Sequence, residues 1–191
     1  MIQKITNEKR LKKYIGHKLE DAGIEVSVEN GLTEEDYIGI KVDNYYMGLK
    51  LQGMTPKAVD YIVAVDCSCD NYVLYIMEFK HTNSPGGYTT SDIREKFDTA
   101  INRFMKEDFK DIFECDRFKY KDIKLYLVTT AYCEAMKYDN YEQFVRIKKI
   151  VENKDTLGND LYLSMKPFCF RGMPLKIQRE IPPNPIIRKI H

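Results

Sequence analysis

The chain has 191 residues, 43% of them hydrophobic and 31% charged, enough to bury one sizeable core and too few for two full domains. No apolar run approaches the roughly 18 residues of a membrane span, and the opening MIQKITNEKRLKKY lacks the apolar stretch of a secretion signal, so the expectation is a soluble protein of the cytoplasm with no membrane partner. A net charge of +1 excludes a general polycation, yet residues 161–191 hold six Lys or Arg against the single acid Glu180, a charge balance that suits a phosphate backbone and equally a solvated tail.

Thr6 and Asn7 are good helix caps. From there to Gly23 the stretch NEKRLKKYIGHKLEDAG sets Leu11, Ile15, Leu19 and Ala22 on one stripe, which predicts an amphipathic helix. IEVSVE, residues 24–29, alternates Ile24, Val26 and Val28 with polar partners, the period of a half-buried strand. YIGIKV and YYMGLKL flank Asp43 and Asn44, which predicts an extra hairpin within 31–57. Two apolar runs follow in VDYIVAVDCSCDNYVLYIMEFKH, residues 59–81. HTNSPGGYTT reads as a loop, and Asp92 with Glu95 makes a capping-box-like start for a helix bearing Ile93, Phe97, Ile101 and Phe104 on one face. IKLYLVTT, residues 123–130, is a buried strand by composition, and DNYEQFVRIKKIVEN from Asp139 reads as a further helix.

Five of the seven prolines lie from Pro167 onward, so the C-terminal segment reads as an extended arm. The organisation is one domain over 1–160, with a basic, proline-rich segment over 161–191 packed on it or extending from it. Five cysteines at irregular spacing give no disulfide framework and point to a reducing compartment, and the lone pair Cys67 and Cys69 reads as small turn residues.

The five-residue loop Cys67 to Asn71 ends in two turn-prone residues, so the flanking runs should form an antiparallel hairpin. A symmetric loop pairs residues whose numbers sum to 138, setting Asp66 against Tyr72, Ala64 against Leu74, Ile62 against Ile76 and Asp60 against Glu78 on one face. The other face, Val59, Tyr61, Val63 and Val65 against Val73, Tyr75, Met77 and Phe79, is wholly apolar or aromatic. Carboxylates at paired positions lie roughly 5 Å apart. Like charges that close, at the end of an apolar face, need a proton or a cation between them. Mg²⁺ suits such oxygen ligands, and Lys80 on the same face could orient an attacking water or steady charge on a phosphoryl group. A solvated salt-bridge ladder is the competing account, and Ile62, Ala64, Leu74 and Ile76 on the same face argue against it.

Asp60, followed eighteen positions later by Glu78, Phe79 and Lys80, resembles the D…ExK signature of the PD-(D/E)xK nuclease superfamily. The order helix, three strands, helix, strand over roughly residues 5–130 is similar to that superfamily's restriction-endonuclease-like αβββαβ core, an α/β fold with a central mixed sheet flanked by helices. The proline that usually precedes the aspartate lies four positions earlier, as Pro56. The resemblance implies Asp60 and Glu78 as metal ligands, the Phe79 main-chain carbonyl as a third, and Lys80 as the group assisting the nucleophilic water. It also implies Mg²⁺ as cofactor, with Mn²⁺ as substitute. Many members add a glutamate from the first helix. Glu8 falls between Ile15 and Leu19 on the apolar stripe and Glu20 does not, so Glu8 is the candidate ligand. An acid in the first helical turn also simply suits the helix dipole.

Lys57, Arg94, Lys96, Arg171 and Lys176 are candidate nucleic-acid contacts. The expected function is metal-dependent phosphodiester hydrolysis, with DNA favoured over RNA as substrate and an endonuclease of restriction, repair or mobile-element type as the form. Cleaving both strands of a duplex suggests a homodimer or a partner subunit. The alternatives are a non-catalytic nucleic-acid-binding or assembly subunit on the same fold, and an RNA endonuclease using the same site.

Overall fold

The computed structural model describes residues 1–49, 53–81, 89–130 and 166–190. The expected helix from Asp139 and most of the expected loop HTNSPGGYTT lie outside them. A mixed six-stranded sheet, flanked by helices, forms the centre, with strand order β1-β4-β5-β6-β7-β10. Its strands are β1 (Ile15–Gly16), β4 (Tyr37–Lys41), β5 (Tyr61–Asp66), β6 (Asn71–Lys80), β7 (Lys119–Thr129) and β10 (Ile177–Glu180). β1, β4, β5 and β6 pair antiparallel in turn, whereas β6, β7 and β10 run parallel.

The β5–β6 hairpin has the register its sequence predicts: Tyr61 pairs with Met77, Ile62 with Ile76, Ala64 with Leu74 and Asp66 with Tyr72. Period-two patterning buries both faces. Ile62, Ala64, Leu74 and Ile76 join the larger core with Ile93, Phe97, Ile101 and Phe104, while Tyr61, Val63, Val65, Val73, Tyr75 and Met77 pack with Leu19, Ile24, Val26 and Ile187. The crossover from β6 to β7 is helical: α3 (Thr90–Asp98) runs directly into a π-helical stretch, Thr99–Asp108, and then the single turn α4 (Lys110–Phe113). Its cap is Thr89, whose hydroxyl accepts the Asp92 N–H, so Asp92 sits inside the first turn and is not the cap.

Three expectations give way. The helix predicted from Thr6 or Asn7 to Gly23 is absent: α1 covers only Ile2–Asn7, and the chain then turns into β1 and the short hairpin of β2 (Glu20–Asp21) and β3 (Ile24–Glu25). Lys9, Arg10, Lys12 and Lys13 would repel one another at helical spacings of three and four, and Gly16 would weaken a helix interior. Pairing of Ile15 with Ile40 and Gly16 with Gly39 wins instead. Gly39 suits that contact, since a Cβ there would lie 2.6 Å from Leu19 Cδ2 and 3.2 Å from the Gly16 carbonyl oxygen and would force both to shift. The extra hairpin within 31–57 is β4 followed by α2 (Val42–Gly48). Helix is what lets the adjacent Tyr45 and Tyr46 both enter the core, at 3% and 0% exposure, where a strand would send one of them outward. Finally, residues 166–190 form no extended arm. β8 (Phe168–Phe170) and β9 (Met173–Leu175) make a hairpin that buries Phe168, Phe170 and Leu175, and β10 adds an edge strand to the sheet.

Candidate active site

At the end of the β5–β6 hairpin away from its loop, local pairing gathers carboxylates from three separate segments. The α2 N-terminus is tied to the residues before β5, because the Val42 N–H donates to the Asp60 carbonyl at 3.1 Å and the Asp43 N–H to that of Val59 at 3.2 Å. Tyr61, the residue after Asp60, anchors the β2–β3 hairpin by donating its hydroxyl to the Glu20 carbonyl at 2.9 Å. Ala22 and Gly23 at the tip of that hairpin both have positive φ, 49° and 74°, as a two-residue turn between twisted strands requires. The result is that Asp21, Asp43 and Asp60 each offer an oxygen within 4.8 Å of the others.

Asp60 and Glu78 are buried, at 8% and 0% exposure. Asp60 Oδ2 accepts the Phe79 N–H at 2.5 Å, so the aspartate is locked to the adjacent strand through the main chain of the expected ligand residue Phe79. Burial, joined by the Glu78 charge, pushes the Asp60 carboxyl up to about 8, against the pull of the Phe79 hydrogen bond and the Lys96 charge. Asp43 is raised by burial as well, and further by Asp21 and Glu78. Glu78 Oε1 takes two ammonium groups, Lys80 Nζ at 2.8 Å and Lys96 Nζ at 2.6 Å. Glu78 Oε2 is buried without a hydrogen-bond partner among the described residues. Burial works to lower Lys80, but its hydrogen bond to Glu78 and the charges of Glu78 and Asp60 outweigh that and hold its pKa above the ordinary lysine value.

Glu78 and Lys80 are in direct contact, and Asp60 lies near enough for the Glu78 charge to raise its pKa. Glu8 does not join them in the gathered cluster. It is the C-cap of α1, its carboxylate takes the Arg10 N–H at 3.0 Å and Nε at 3.1 Å, and that hydrogen bonding to Arg10 lowers its pKa. The acids that do lie close to Asp60 are Asp21 of β2 and Asp43 of α2. Asp21 is hard to find from sequence because EDAG completes a helical pattern, the one usable signal being a glycine-bearing turn directly after it. Asp43 carries only the faint signal of an acid in a first helical turn. Lys96 has a clearer one: Ile93 and Ala100, three before and four after it, are both buried, so it borders the inward face of its helix.

Lys96 aside, the expected nucleic-acid contacts mostly face other parts of the chain. Lys57 pairs with Asp92 at 2.7 Å and Glu95 at 3.1 Å. Arg94 donates to the Lys166 carbonyl at 2.8 Å and stacks over Phe168. Arg171 donates to the carbonyls of Cys115 and Phe118 at 3.1 and 2.8 Å. Lys176 is exposed. Among the described residues no helix is long and apolar enough to cross a membrane.

Taken together, Asp21, Asp43 and Asp60 offer hard carboxylate oxygens, with Glu78 and its two lysines alongside, and this set fits a hard divalent cation such as Mg²⁺. Compared with known proteins, the chain matches no family model, no curated protein and no solved structure.

Proposed function

We propose that this chain is a Mg²⁺-dependent nuclease of the PD-(D/E)xK kind, an endonuclease acting on DNA, built on a restriction-endonuclease-like core. The observation that carries the reading is the position of Asp60. It is buried, it belongs to the three-carboxylate cluster, and it stands beside a Glu78 whose one oxygen is held by two lysines. A carboxyl whose pKa burial and a like charge have raised to about 8 is poorly placed for stability and well placed for a cation. The element order supports the same reading, since β4, β5 and β6, with α2 inserted after β4, are followed by a helical crossover to β7 in a mixed sheet, in keeping with the βββαβ order that the resemblance implies.

In this reading Asp60, Asp21 and Asp43 hold the ion, while Glu78, which the resemblance implies as a ligand, is engaged by Lys80 and Lys96. When bound, Mg²⁺ supplies Lewis-acid stabilisation of the phosphate oxygens and lowers the pKa of the attacking water. Lys80, 29% exposed at its side chain and aimed at Glu78, is the group that can reach both the interior and a substrate phosphate. Its ammonium orients the water and balances charge developing on the phosphoryl group. Glu78 keeps Lys80 charged and in place.

The test is cleavage of supercoiled plasmid by the full chain with Mg²⁺, with EDTA, and in Asp60→Asn and Lys80→Ala, alongside a structured RNA. Nicking or linearisation that EDTA abolishes and that either substitution lowers at least about 100-fold is the expected result. Equal, EDTA-insensitive traces from wild type and Lys80→Ala would overturn the reading. Cleavage confined to RNA would keep the site and change the substrate.

A further inference from the structure

Two lysines from different elements share Glu78 Oε1: Lys80 Nζ, from the end of β6, at 2.8 Å, and Lys96 Nζ, from α3, at 2.6 Å. The D…ExK signature accounts for Lys80 and has no place for Lys96. The two are held differently. Lys96 stands on a packed helix, with Ile93, Phe97 and Ala100 around it all fully buried, and its own side chain is 19% exposed. Lys80 is the last residue of its strand and its side chain is 29% exposed. Glu78 has 0% exposure, and its other oxygen, Oε2, has no hydrogen-bond partner among the described residues.

A lysine that serves a substrate phosphate cannot at the same moment be the sole counterion of a buried carboxylate. Were Lys80 alone on Glu78, turning it toward a phosphate would strand a negative charge that water cannot reach, and an uncompensated buried charge is strongly unfavourable. With Lys96 on the same oxygen, Glu78 keeps its closer partner when Lys80 turns outward. Two ammonium groups on one carboxylate also leave a surplus positive charge, and Lys80, the more exposed of the two, is the one that can present it.

We propose that Lys96 is a positioning residue that acts through Glu78: it remains as the buried counterion and so releases Lys80 for the phosphate. The inference rests on the nuclease reading above and adds to it a residue outside the signature. Without the Lys96 charge, Lys80 stays drawn to Glu78 while the substrate still binds, so the loss falls on kcat and not on KM.

The experiment is steady-state cleavage of supercoiled plasmid by the full chain at saturating Mg²⁺, with circular dichroism of every variant. Lys96→Met should lower kcat at least about tenfold and leave KM for the plasmid within about twofold of wild type. Lys96→Gln, which keeps a hydrogen-bond donor and lacks the charge, should do the same, and it decides the matter if Lys96→Met fails to fold. Lys96→Arg, which keeps the charge, should restore kcat to within about threefold of wild type. On a Glu78→Gln background no buried charge is left to offset, so adding Lys96→Met should cost nothing further. Wild-type kcat in the neutral variants would overturn the inference and leave the nuclease reading standing. So would a loss carried by KM, a loss in Lys96→Arg as large as in Lys96→Met, or a further loss on the Glu78→Gln background. No cleavage by the wild type would overturn both.

Discussion

Glu95 and Lys96 are neighbours on α3, yet each ends in a different kind of ion cluster. Glu95 and Asp92 meet Lys57 at 3.1 and 2.7 Å, with all three side chains about half exposed. Lys96 turns inward to Glu78, a carboxylate with 0% exposure that Lys80 also holds. The pair chemistry is the same, lysine on carboxylate at hydrogen-bond distance. Water makes the difference: it screens the outer cluster, whose members lose little if parted, while the inner one exists only because each charge offsets another's desolvation. The inner cluster is also out of balance, since Asp60 stands beside it with its pKa raised and Asp21 and Asp43 add further acid. Stability gains nothing from such crowding, which is why the cluster reads as a site and the outer one as surface.

The largest test of that contrast is the pH dependence of stability in the metal-free chain. Asp60 holds its proton in the folded state up to about 8, while the unfolded chain releases it near 3.8. Between those values the folded state binds more protons, so this group makes stability fall as pH rises through the window, with no cost below it and the whole cost above. The limiting magnitude is on the order of 5 kcal/mol. Melting curves of wild type should decline from pH 4 to 9, and Asp60→Asn, still able to accept the Phe79 N–H, should flatten that decline and melt higher than wild type at pH 9. Mg²⁺ at pH 8 should recover stability in wild type and not in Asp60→Asn. A wild-type slope that survives Asp60→Asn unchanged would show that the cluster is not out of balance.

Breaking the inner cluster at its hub comes next. Glu78→Ala strands two partly buried ammonium groups, a loss of about 3–5 kcal/mol for a buried pair, from which relief of Asp60 subtracts a part. A net loss of about 3 kcal/mol, lowering the melting temperature by about 6–12 °C in a chain of this size, is expected in thermal denaturation. If Glu78→Ala melts as wild type does, Glu78 and its lysines are not a cooperative unit.

What could be read ahead of the structure follows from how local each signal is. The Asp60 to Glu78 pairing needs only a period of two and a short loop, both contained in 59–81, and the register came out residue for residue from Tyr61 to Met77. Lys96 lay on a predicted helix but could be assigned to the inner or the outer side only once β6 was packed against it. Asp21 depends on contacts far along the chain: Ile15 with Ile40, Leu19 against Gly39, and Tyr61 holding the Glu20 carbonyl. A stripe of Leu11, Ile15 and Leu19 carries no sign of those partners and reads as helix, which is how Glu8 came to be preferred over the segment that holds Asp21. The C-terminal prolines misled for a related reason, because Pro174 sits in a strand of a two-stranded hairpin, where a missing N–H costs little.

The smallest effect should come from the outer cluster. Lys57→Ala removes the partner of both Asp92 and Glu95, but water takes its place on exposed oxygens, and the Asp92 carboxylate keeps the Thr89 hydroxyl. The Lys57–Asp92 interaction lowers the Asp92 pKa, so any contribution would show only above the ordinary aspartate range and would fade in salt. Melting of Lys57→Ala at pH 7 should fall within about 2 °C of wild type, with the gap closing further at 1 M NaCl. The Glu78→Ala deficit, by contrast, should persist at that salt, since buried charges are screened far less. If the two variants respond to salt alike, burial is not what separates the clusters, and the argument that singles out the inner one as a site loses its footing.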